Sequence, residues 1–583
     1  MKLKALALDY DGTIAEQGTM APDVRAALGR AREAGLTIII VTGRILGDLR
    51  RVCGDLSFAD TVVAENGAIV VFPRSGRSTA LHAPPSRAFL EELRRRGVQF
   101  ETGETIIEAD ASAAPAALEA IRQLEQPLSI LFNRGRMMIL PQAVSKATGL
   151  VSALDALRLS EHNVLAIGDA ENDHELLRVS EIGVAVEWGS EVLKGVADEV
   201  LRGNGPAAVA QYIDSLIERA SRGEALTIRR PRRRVTLGIT SGGSELSLAV
   251  TGRNVLISGD PHSGKSWVGG LLCEQLILHG YSVCVIDPEG DYASLEALPR
   301  VMVVGGDDPP PKPHELLRLL RHPDRSIVID LSRLSHVDKL EYLRDVLPQI
   351  AIIRSRTGLP HRILLDEAHY FLCGEDTMDM LDTSAGGCTL VTYRASHLQR
   401  NVLRAADVML VTRATDPHEV KSLAEVSKAE HVDLAEWQRT LEGLEVDETA
   451  LLPGPEESEG RLKRIRLAER LTPHVRHRMK YLDVPVSDCH AFVFRDRGHS
   501  IGERAHTLKE FIDVLGRTEP QRLHEHIQRG DFSRWFADVF GDRLLAANIR
   551  SLEDNYRLNR IPDINDAINQ TVRARYEFLD GEV

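Results

Sequence analysis

Two short apolar runs, about 250 positions apart, each lead into residues suited to binding phosphate. Residues 6–8 (LAL) precede residues 9–13 (DYDGT), and residues 255–258 (VLIS) precede residues 259–266 (GDPHSGKS). Polar residues directly after a buried strand lie at the carboxyl edge of a parallel sheet, where open α/β folds build their ligand sites. The two runs therefore predict two α/β regions, each with its own phosphate site.

Length and composition limit the class of protein. The chain has 583 residues, which is too long for one hydrophobic core and suggests about three or four domains. An apolar content of 43% and a charged content of 27% are typical of globular proteins and exclude a disordered or fibrous chain. The net charge of −14 argues against a surface coated in positive charge for nucleic acid, although a local basic patch or a ring-shaped pore could still bind it.

The sequence lacks the features of a membrane or secreted protein. No apolar stretch reaches the roughly 18–20 residues that a membrane-spanning helix needs. Residues 1–4 (MKLK) lead straight into the acidic motif, without the apolar segment of a signal peptide. The six cysteines are dispersed and form no C-x-x-C pair, as is typical of core thiols in a reducing compartment. We therefore expect a soluble, cytoplasmic protein with no membrane contact.

Residues 1–215 form the first predicted region. Short β-rich runs alternate with amphipathic stretches, which predicts a parallel sheet of βα units. The predicted strands are residues 3–8, 36–41, 61–64 and 163–167. Residues from about 73 to 140 break this alternation, so they are expected to form an inserted cap.

A basic run at residues 229–234 (RRPRRR) marks the next boundary and predicts a linker over residues 216–234. The run is either a solvated linker or a contact with nucleic acid or another partner. A second α/β alternation follows over residues 235–470, and residues 471–583 have a mostly helical pattern with no identified role. The predicted strands of the second region lie near residues 254–258, 282–286, 326–331, 362–366, 388–392 and 407–411.

The first motif predicts a carboxylate that accepts a phosphoryl group. Asp9 and Asp11 both follow the buried strand, and two carboxylates this close repel each other unless a cation such as Mg²⁺ joins them. Asp9 can then attack phosphorus and form an aspartyl-phosphate. Asp11 can protonate the leaving oxygen and later deprotonate the hydrolytic water. Gly12 permits the tight turn that follows.

Other candidate ligands follow in chain order. Thr42 and Gly43 end a predicted strand and offer a hydroxyl and backbone N–H groups to phosphate, and Lys146 precedes a helix and can neutralise the anion. Residues 168–173 (GDAEND) end another strand and supply further carboxylates. The candidate phosphate ligands are thus Thr42, Gly43, Lys146 and Asn172, and the candidate metal ligands are Asp9, Asp11, Asp169 and Asp173.

With these motifs, residues 1–215 resemble the haloacid dehalogenase (HAD) phosphatases that carry a cap between the second and third motifs. The run Glu65-Asn66-Gly67 and the short cap resemble archaeal-type phosphoglycolate phosphatases and sugar-phosphate phosphatases. The resemblance implies Asp9 as the nucleophile and Asp11 as the acid/base, and it leaves the substrate to the cap. It also implies Thr42 and Lys146 as phosphate ligands, with Asp169 and Asp173 around Mg²⁺.

The second motif has the P-loop form G-x-x-x-x-G-K-[ST], and it follows an apolar strand and opens a helix, which is the context that confirms such a motif. Backbone N–H groups of the loop bind phosphates, Lys265 reaches the β- and γ-phosphate oxygens, and Ser266 ligates Mg²⁺. The candidate nucleotide-binding residues are Gly259, Asp260, Pro261, His262, Ser263, Gly264, Lys265 and Ser266.

A second acidic motif, about a hundred residues later, complements the P-loop. The apolar strand at residues 362–365 leads to Asp366, a candidate ligand of the metal, and to Glu367, which can orient or activate water. A glutamate at this place favours hydrolysis of ATP over transfer of phosphate to an alcohol. The intervening predicted strands place the P-loop and this motif on non-consecutive strands, as in additional-strand ATPases.

Residues 287–292 (DPEGDY) and 392–394 (TYR) complete a pattern that resembles the HerA/FtsK family of ring-forming ATPases. The resemblance implies a homo-oligomeric ring, such as a hexamer. Tyr393 departs from this pattern, since family members often carry glutamine near its position. Arg394 and Arg413 are candidates for a sensor or for an arginine finger that acts across a subunit interface, and ordinary surface arginines are the alternative.

The expected fold is α/β: a HAD Rossmann-like domain with a small inserted cap, then a RecA-like additional-strand P-loop ATPase domain, then a mostly helical C-terminal region. The expected function is bifunctional, with a Mg²⁺-dependent phosphohydrolase and a domain that hydrolyses ATP. The phosphatase partner is a phosphorylated small molecule or a nucleic-acid end.

Three interpretations of the pair stay open. One is a ring-forming protein of DNA processing or defence, and the second is a metabolic phosphatase that its ATPase domain assembles or regulates. The third is a kinase and phosphatase that repairs nucleic-acid ends, with Asp287 as the base. Glu367 and the wide spacing between the nucleotide motifs argue against the third.

Overall fold

The computed structural model divides the chain into two compact units. The first contains residues 1–234 with 321–324 and 353–361, and the second contains residues 235–320, 325–352 and 362–583. The structure describes residues 2–576 except 134, 223–231, 250–251, 373–379, 428, 430–431, 454–460, 474–485, 487–489, 497–498, 541–542 and 559.

The first unit is built on an eight-stranded sheet. Six neighbouring strands are parallel, and two antiparallel strands extend one edge. In sheet order the strands are Glu199–Leu201, Ile182–Val186, Val164–Gly168, Ala5–Asp9, Thr37–Val41, Thr61–Ala64, Ile69–Phe72 and Arg77–Ala80.

The central strands are apolar throughout because both faces of the sheet are covered. Along the strand Ala5–Asp9, Leu6 and Leu8 belong to one core cluster, while Ala5 and Ala7 belong to the cluster on the opposite side. Side chains alternate between the faces of a strand, so a strand buried on both sides becomes a continuous apolar run. This burial delivers Asp9 to the carboxyl edge of the sheet.

Helices of the first unit cover both faces of the sheet and part of the cap. They are Pro22–Glu33, Leu46–Cys53, Arg87–Arg95, Ala114–Gln123, Lys146–Leu157, His174–Val179, Glu191–Val196 and Gly205–Ser221. The last of these helices continues past residue 215, and a short hairpin pairs Ala15–Glu16 with Thr19–Met20.

The cap is a four-stranded antiparallel sheet with two helices, Arg87–Arg95 and Ala114–Gln123, packed on one face. Its strands, in order, are Leu128–Asn133, Arg136–Pro141, Ile107–Asp110 and Phe100–Thr102. The strand Arg77–Ala80 falls within the predicted 73–140 insertion but pairs with Ile69–Phe72 at the edge of the main sheet. Backbone pairing, which the sequence pattern did not show, assigns it to that sheet.

The second unit contains an eleven-stranded sheet with seven parallel strands and four antiparallel ones. The P-loop strand Val255–Ser258 lies next to Cys388–Thr392, which in turn lies next to Arg362–Leu365. One strand therefore separates the P-loop from the second acidic motif, which confirms the additional-strand arrangement. In order the strands are Glu245–Leu248, Val235–Thr240, Lys463–Leu467, Glu448–Leu451, Val408–Val411, Val255–Ser258, Cys388–Thr392, Arg362–Leu365, Val283–Asp287, Ser326–Asp330 and Val301–Gly305.

The helix that follows the P-loop, Lys265–Leu278, is buried over most of its length. The other helices of the ATPase-like region are Pro313–Leu319, His336–Thr357, Arg400–Arg404, Pro417–Val426 and Leu434–Glu442. In the described part of the chain, no helix is both long and apolar enough to cross a membrane.

The C-terminal region is mainly helical and has an aromatic core. Phe511 and Trp535 stack with ring centroids 4.9 Å apart, and Tyr370 and Tyr393 of the ATPase-like region pack against the same cluster. Its helices are Leu508–Arg517, His524–Arg529, Asp531–Asp538, Arg543–Arg557 and Ile564–Tyr576. A hairpin of Phe492–Asp496 and His499–Ala505 precedes them, within a region that is mostly helical as predicted.

Candidate functional site

Three buried side chains form the centre of the first site. The ammonium of Lys146 lies 2.6 Å from a carboxylate oxygen of Asp9 and 2.6 Å from one of Asp173. Lys146 is 1% exposed and Asp173 is 0% exposed, so little water reaches the two ion pairs. These residues come from positions 9, 146 and 173 of the chain, and the sheet edge brings the three candidate residues together.

Asp169 completes a group of acids. Among the described residues, Asp9, Asp169 and Asp173 are the only three whose candidate ligand atoms all lie within 4.8 Å of one another. Burial raises the pKa of Asp9 well above its usual range, and the charges of Asp173 and Asp169 raise it further, while Lys146 lowers it. Crowded buried carboxylates that resist ionisation are a donor set suited to a hard divalent cation such as Mg²⁺.

The main chain fixes Asp173 in this group. One of its carboxylate oxygens accepts hydrogen bonds from the backbone N–H groups of Asp169 and Ala170, both at 3.0 Å. A Cβ at Gly168 would lie 2.6 Å from the Cβ of Asp173, so only glycine fits there. The carboxylate is thus shared between backbone donors and the ammonium of Lys146.

Helix capping places Lys146. It is the first residue of the helix Lys146–Leu157, and Ser145 before it forms a capping box with Thr148. The hydroxyl of Ser145 accepts from the N–H of Thr148, and the hydroxyl of Thr148 accepts from the N–H of Ser145. Such a cap stabilises a helix start by about 1 kcal/mol, so Lys146 projects from a defined turn.

Asp11 lies apart from the acidic group. Its two carboxylate oxygens accept hydrogen bonds from the guanidinium of Arg44 at 2.6 and 2.7 Å, and Arg44 also pairs with Asp48. The structure therefore brings Asp9, Asp169 and Asp173 together, whereas the fourth candidate metal ligand engages an arginine instead. Asp11 stays partly accessible, with 38% of its side chain exposed.

A side chain of the cap lies close to Gly43, one of the candidate phosphate ligands. A Cβ added to Gly43 would lie 3.5 Å from the sulfur of Met138 in the cap and 3.8 Å from the side-chain nitrogen of Asn172. Thr42 is 1% exposed, and its carbonyl accepts the N–H of Asn66. Gly43 and Asn172 thus lie near each other and near a cap side chain.

The P-loop of the second site is braced by the strand end beside it. The N–H of Asp260 donates to the carbonyl of Arg413 at 2.7 Å, and the carboxylate of Asp260 accepts from the N–H and hydroxyl of Thr415. The ammonium of Lys265 donates to the carbonyl of Asp260 at 2.8 Å, and Gly264 has a φ of 98° at the helix start. The loop therefore has a fixed backbone with its N–H groups at a helix N-terminus, an arrangement suited to phosphate.

Acidic side chains crowd the adjoining sheet edge. The hydroxyl of Ser266 donates to the carboxylate of Asp291 at 2.6 Å. Burial raises the pKa of Asp287 well above its usual range, and Asp291 and Asp366 raise it further. Ser266 and Asp366 thus lie at an acidic edge that suits the Mg²⁺ of a nucleotide. Asp291, which contacts Ser266 there, was not among the predicted ligands.

Glu367 is fully buried beside a histidine. One carboxylate oxygen of Glu367 lies 3.5 Å from the Nδ1 of His369, and that same nitrogen lies 3.1 Å from the hydroxyl of Thr392. Burial lowers the pKa of His369 to about 3, so its imidazole is neutral at physiological pH. The Nε2 of His369 is buried and has no hydrogen-bond partner among the described residues.

Two family models match separate regions of the chain. The model of haloacid dehalogenase-like hydrolases matches residues 6–94 and 99–213, and the model of the central domain of helicase HerA matches residues 246–355. The chain joins a HAD hydrolase domain to a HerA-type ATPase domain. It is a hydrolase, and neither model alone covers half of its length.

Several relatives match over about a third of this chain. The phosphoglycolate phosphatase of Metallosphaera sedula is 28% identical over 221 residues, which are 37% of this chain and 99% of that protein. The phosphoglycolate phosphatase of Methanopyrus kandleri is 28% identical over 226 residues, or 34% and 94% of the two chains. A haloacid dehalogenase-like hydrolase of known structure from Bacteroides thetaiotaomicron is 19% identical with a TM-score of 0.33, and the match covers 37% of this chain and 100% of that one.

The two candidate arginines of the HerA-type domain lie in different surroundings. The guanidinium of Arg394 donates to the carbonyl of Val539 at 2.6 Å and lies 5.6 Å from the ring centroid of Tyr393. Arg413 follows the strand Val408–Val411, and its carbonyl accepts the N–H of Asp260 in the P-loop of the same chain. Arg394 is therefore held by the C-terminal region, whereas Arg413 lies beside its own nucleotide loop.

Sequence reasoning missed several residues at the two sites. In the HAD domain these are Arg44, which pairs with Asp11, and Met138, which lies over Gly43. Arg44 directly follows Thr42 and Gly43, so its place in the sequence could have indicated a role at the site. No feature of the sequence near Met138 indicates its position over Gly43. In the HerA-type domain, Asp291 lies inside the run DPEGDY and His369 lies two residues after Glu367, but their contacts are with side chains from other parts of the chain.

Proposed function

We propose that this chain is a bifunctional enzyme that hydrolyses phosphate monoesters in its HAD domain and ATP in its HerA-type domain. The observation that carries the first activity is the buried group in which Lys146 bridges Asp9 and Asp173. We assign the phosphatase to residues 1–215 together with the rest of the helix Gly205–Ser221, and its cap to about 73–140 without the strand Arg77–Ala80. We assign a linker to the residues up to 234, the ATPase to 235–470 and a module of unknown role to 471–583.

The proposed phosphatase reaction proceeds through Asp9. Its carboxylate attacks phosphorus, the bond to the leaving oxygen breaks, and Asp11 gives that oxygen a proton. Water then hydrolyses the aspartyl-phosphate and returns its proton to Asp11, which restores Asp9. Asp11 needs to exchange its contact with Arg44 for these proton transfers.

The remaining residues of the site stabilise charge. Lys146 lies against the attacking carboxylate and can balance the phosphoryl oxygens, while Thr42 and Gly43 offer a hydroxyl and backbone donors to them. When bound by Asp9, Asp169 and Asp173, Mg²⁺ would supply positive charge that lets an ionised carboxylate meet an anionic phosphate. The elevated pKa of Asp9 is consistent with a need for such a cation.

The proposed substrate is a small phosphate ester such as phosphoglycolate or a sugar phosphate. Support comes from the relatives named phosphoglycolate phosphatase, two of which are 28% identical to this chain. The cap residue Met138 lies close to Gly43, so a cap side chain can meet the leaving group of a small ester. A phosphorylated nucleic-acid end is the alternative substrate.

The second proposed activity is ATP hydrolysis. Backbone donors of the P-loop and Lys265 would bind the phosphates, Ser266 and Asp366 would hold Mg²⁺, and Glu367 would orient the attacking water. We further propose that the HerA-type domain assembles into a homo-oligomeric ring, such as a hexamer, on the strength of its family. The use of this ring on DNA is one interpretation, and the assembly or regulation of a metabolic phosphatase is the other.

The structure argues against a kinase that uses Asp287 as its base. The carboxylate of Asp287 accepts backbone N–H groups of Gly290, Asp291 and Tyr292 at 2.7, 3.1 and 2.8 Å. Asp287 is also 0% exposed, so a substrate hydroxyl cannot reach it in this arrangement. The carboxylate holds the turn after its strand.

Two variants test the two activities in the same protein. Asp9→Asn is expected to abolish phosphate release from phosphoglycolate, sugar phosphates and 3′-phosphorylated oligonucleotides while ATP hydrolysis continues. Lys265→Ala is expected to do the reverse, so each variant is the control for the other. Phosphatase turnover that persists in Asp9→Asn, or ATP hydrolysis that persists in Lys265→Ala, would contradict the assignment.

The role of the ring is tested by two further measurements. A DNA motor should hydrolyse ATP faster when DNA is added, whereas a metabolic enzyme should not respond. The particle mass in solution with ATP should correspond to an oligomer, and a monomer under these conditions would contradict the proposed ring.

A further inference from the structure

Glu65 connects the main domain of the phosphatase to its cap. Its side chain is fully buried, and its carboxylate accepts four hydrogen bonds from the cap loop. The donors are the N–H of Glu104 at 2.9 Å, the N–H and hydroxyl of Thr105 at 2.8 and 2.9 Å, and the N–H of Ile106 at 3.3 Å. Three of these four donors are backbone groups, so the contact fixes the path of the loop itself.

The backbone of Glu65 belongs to the phosphate-binding edge of the main sheet. Its N–H donates to the carbonyl of Arg44 at 3.0 Å, and the N–H of Asn66 donates to the carbonyl of Thr42 at 3.0 Å. Glu65 and Asn66 have φ values of 53° and 55°, in the left-handed region that residues with a side chain rarely adopt. One residue therefore joins the phosphate loop through its main chain and the cap through its side chain.

The cap loop is shaped for this carboxylate. A Cβ at Gly103 would lie 2.4 Å from a carboxylate oxygen of Glu65, so a larger residue would displace the contact. The loop connects the strands Phe100–Thr102 and Ile107–Asp110. Ile106 of the loop packs in one apolar cluster with Met138, the cap residue that lies over Gly43. The position of the loop is therefore linked to that of the side chain above the phosphate ligands.

An ionised carboxylate suits this contact better than an amide. Two oxygens without protons can accept all four hydrogen bonds, and bonds to a charged acceptor are stronger than those between neutral groups. Glutamine would present one acceptor oxygen and an NH₂ group that faces other donors. Replacement of glutamate by glutamine therefore keeps the size of the side chain and breaks part of the contact.

We propose that Glu65 is a positioning residue that holds the cap over the phosphate loop and so determines how cap side chains meet the leaving group of the substrate. This inference rests on the proposed phosphatase function. The carboxylate of Glu65 contacts the cap loop and, at 3.5 Å, the N–H of Leu46, so it acts through the loop at residues 103–106. Substrates that depend on the cap should therefore be affected more than substrates that do not.

The test compares two substrates in the full-length protein with Mg²⁺. Phosphoglycolate has a small leaving group that needs the cap, whereas p-nitrophenyl phosphate has an activated leaving group that departs with little help. In Glu65→Gln, kcat/KM for phosphoglycolate is expected to fall at least about tenfold, with a change of less than about threefold for p-nitrophenyl phosphate. Glu101→Gln, an exposed glutamate on the adjacent cap strand, is the matched control and should change neither value.

A second variant approaches the same contact from the cap. Gly103→Ala places a methyl group against the carboxylate of Glu65, so it should reproduce the selective loss even if Glu65→Gln folds poorly. Equal losses on both substrates in both variants, or no loss in either, would overturn the positioning role. A wild-type protein without phosphatase activity would overturn the proposed function and this inference with it. If the wild type is active and Asp9→Asn is inactive, the proposed function stands, and the Glu65 and Gly103 variants then test the positioning role alone.

Discussion

At the scale of single residues, His369 shows how burial sets the charge of a side chain next to Glu367, the candidate catalytic carboxylate. It is 4% exposed, and burial lowers its pKa to about 3, while Glu367 raises it and His397, Lys265 and Arg394 lower it. A neutral imidazole can hold the hydroxyl of Thr392 without adding charge next to Glu367. Protonation would place a charge in the interior at a desolvation cost that Glu367 offsets only in part, so the folded protein resists it.

This pKa predicts a pH dependence of stability. Because the folded pKa lies below the ordinary value of 6.5, the contribution of His369 is complete above about pH 6.5 and is lost as the pH falls towards the folded pKa. Between about pH 7 and pH 5 one such group lowers the free energy of unfolding by about 2 kcal/mol. His369→Gln removes the titrating group, so its unfolding free energy should fall less over this range than that of the wild type.

Denaturant unfolding of the full-length protein at both pH values measures the difference. His279→Gln is the control, since His279 is an exposed histidine at the end of the P-loop helix. If the unfolding free energies of the wild type and His369→Gln fall equally between the two pH values, His369 binds its proton in the folded state as readily as in the unfolded state, which would contradict the lowered pKa.

Some residues of the candidate phosphatase site could be predicted from sequence motifs, and others could not. Asp9, Lys146 and Asp173 were assigned from motifs, and they do meet, because each follows a strand or begins a helix at the same sheet edge. The pairing of Asp11 with Arg44 and the contact of Glu65 with the cap were not predicted. These contacts join positions about 30–40 residues apart through side chains, and no local pattern encodes such a pairing.

At the scale of secondary structure elements, the helix Lys146–Leu157 depends on close contact with the turn after the strand Thr61–Ala64. A Cβ at Gly149 would lie 2.5 Å from the Cα of Gly67, and a Cβ at Gly67 would lie 1.9 Å from the carbonyl of Ser145. Two glycines therefore let the helix lie against the turn, and this places its first residue, Lys146, between the carboxylates.

Gly149→Ala is expected to push the helix away from the turn. The overpacked contact should lower the free energy of unfolding by about 1–3 kcal/mol, and displacement of Lys146 should lower the kcat/KM of the phosphatase at least about tenfold. Phosphatase kinetics and thermal unfolding check both expectations.

Gly29→Ala provides the matched control. Gly29 lies in the helix Pro22–Glu33 and has no atom within 4 Å of an added Cβ. The same substitution should there stabilise the protein by about 0.4–1 kcal/mol without loss of activity. A Gly149→Ala variant that behaves like Gly29→Ala would show that the helix tolerates the shift.

The elements that the sequence predicted are those with the strongest apolar runs. Central strands such as Cys388–Thr392 coincide with their predictions because burial on both faces leaves a continuous apolar signal. The antiparallel strands of the HerA-type domain were missed, among them Glu245–Leu248 and Lys463–Leu467. The second of these reads KRIRL, in which charged and apolar residues alternate because one face is exposed, and so short an alternation is not distinctive.

At the scale of the whole molecule, the described part of the basic run is engaged within the first unit. Arg232 pairs with Asp198 at 2.6 Å, and Arg233 lies 3.3 Å from Glu181. Residues 223–231 of the linker lie outside the described residues. Arg232 and Arg233 therefore act as contacts of the HAD domain, which favours the linker interpretation over a free nucleic-acid patch for these two.

A larger question at this scale is whether each ATP site is complete within one chain or needs a neighbour. The guanidinium of Arg394 donates to the carbonyl of Val539, whereas Arg413 lies beside a P-loop. Arg413 is therefore the stronger candidate for the arginine that acts on ATP. Since the carbonyl of Arg413 accepts the N–H of Asp260 in the same chain, we expect Arg413 to act on the nucleotide of its own subunit. Arg413→Ala should then lower ATP hydrolysis at least about tenfold, and Arg394→Ala should lower it less.

Mixed assemblies distinguish action within a subunit from action across an interface. When Arg413→Ala and Lys265→Ala proteins are mixed in equal amounts, a ring that used Arg413 across its interface would recover activity at about a quarter of its sites, because random neighbours would pair an intact P-loop with an intact arginine. Action within the subunit predicts no recovery, since every chain lacks one of the two residues. ATPase rates of the mixture against each variant alone decide between them, and recovery to about a quarter would assign Arg413 as a finger in trans.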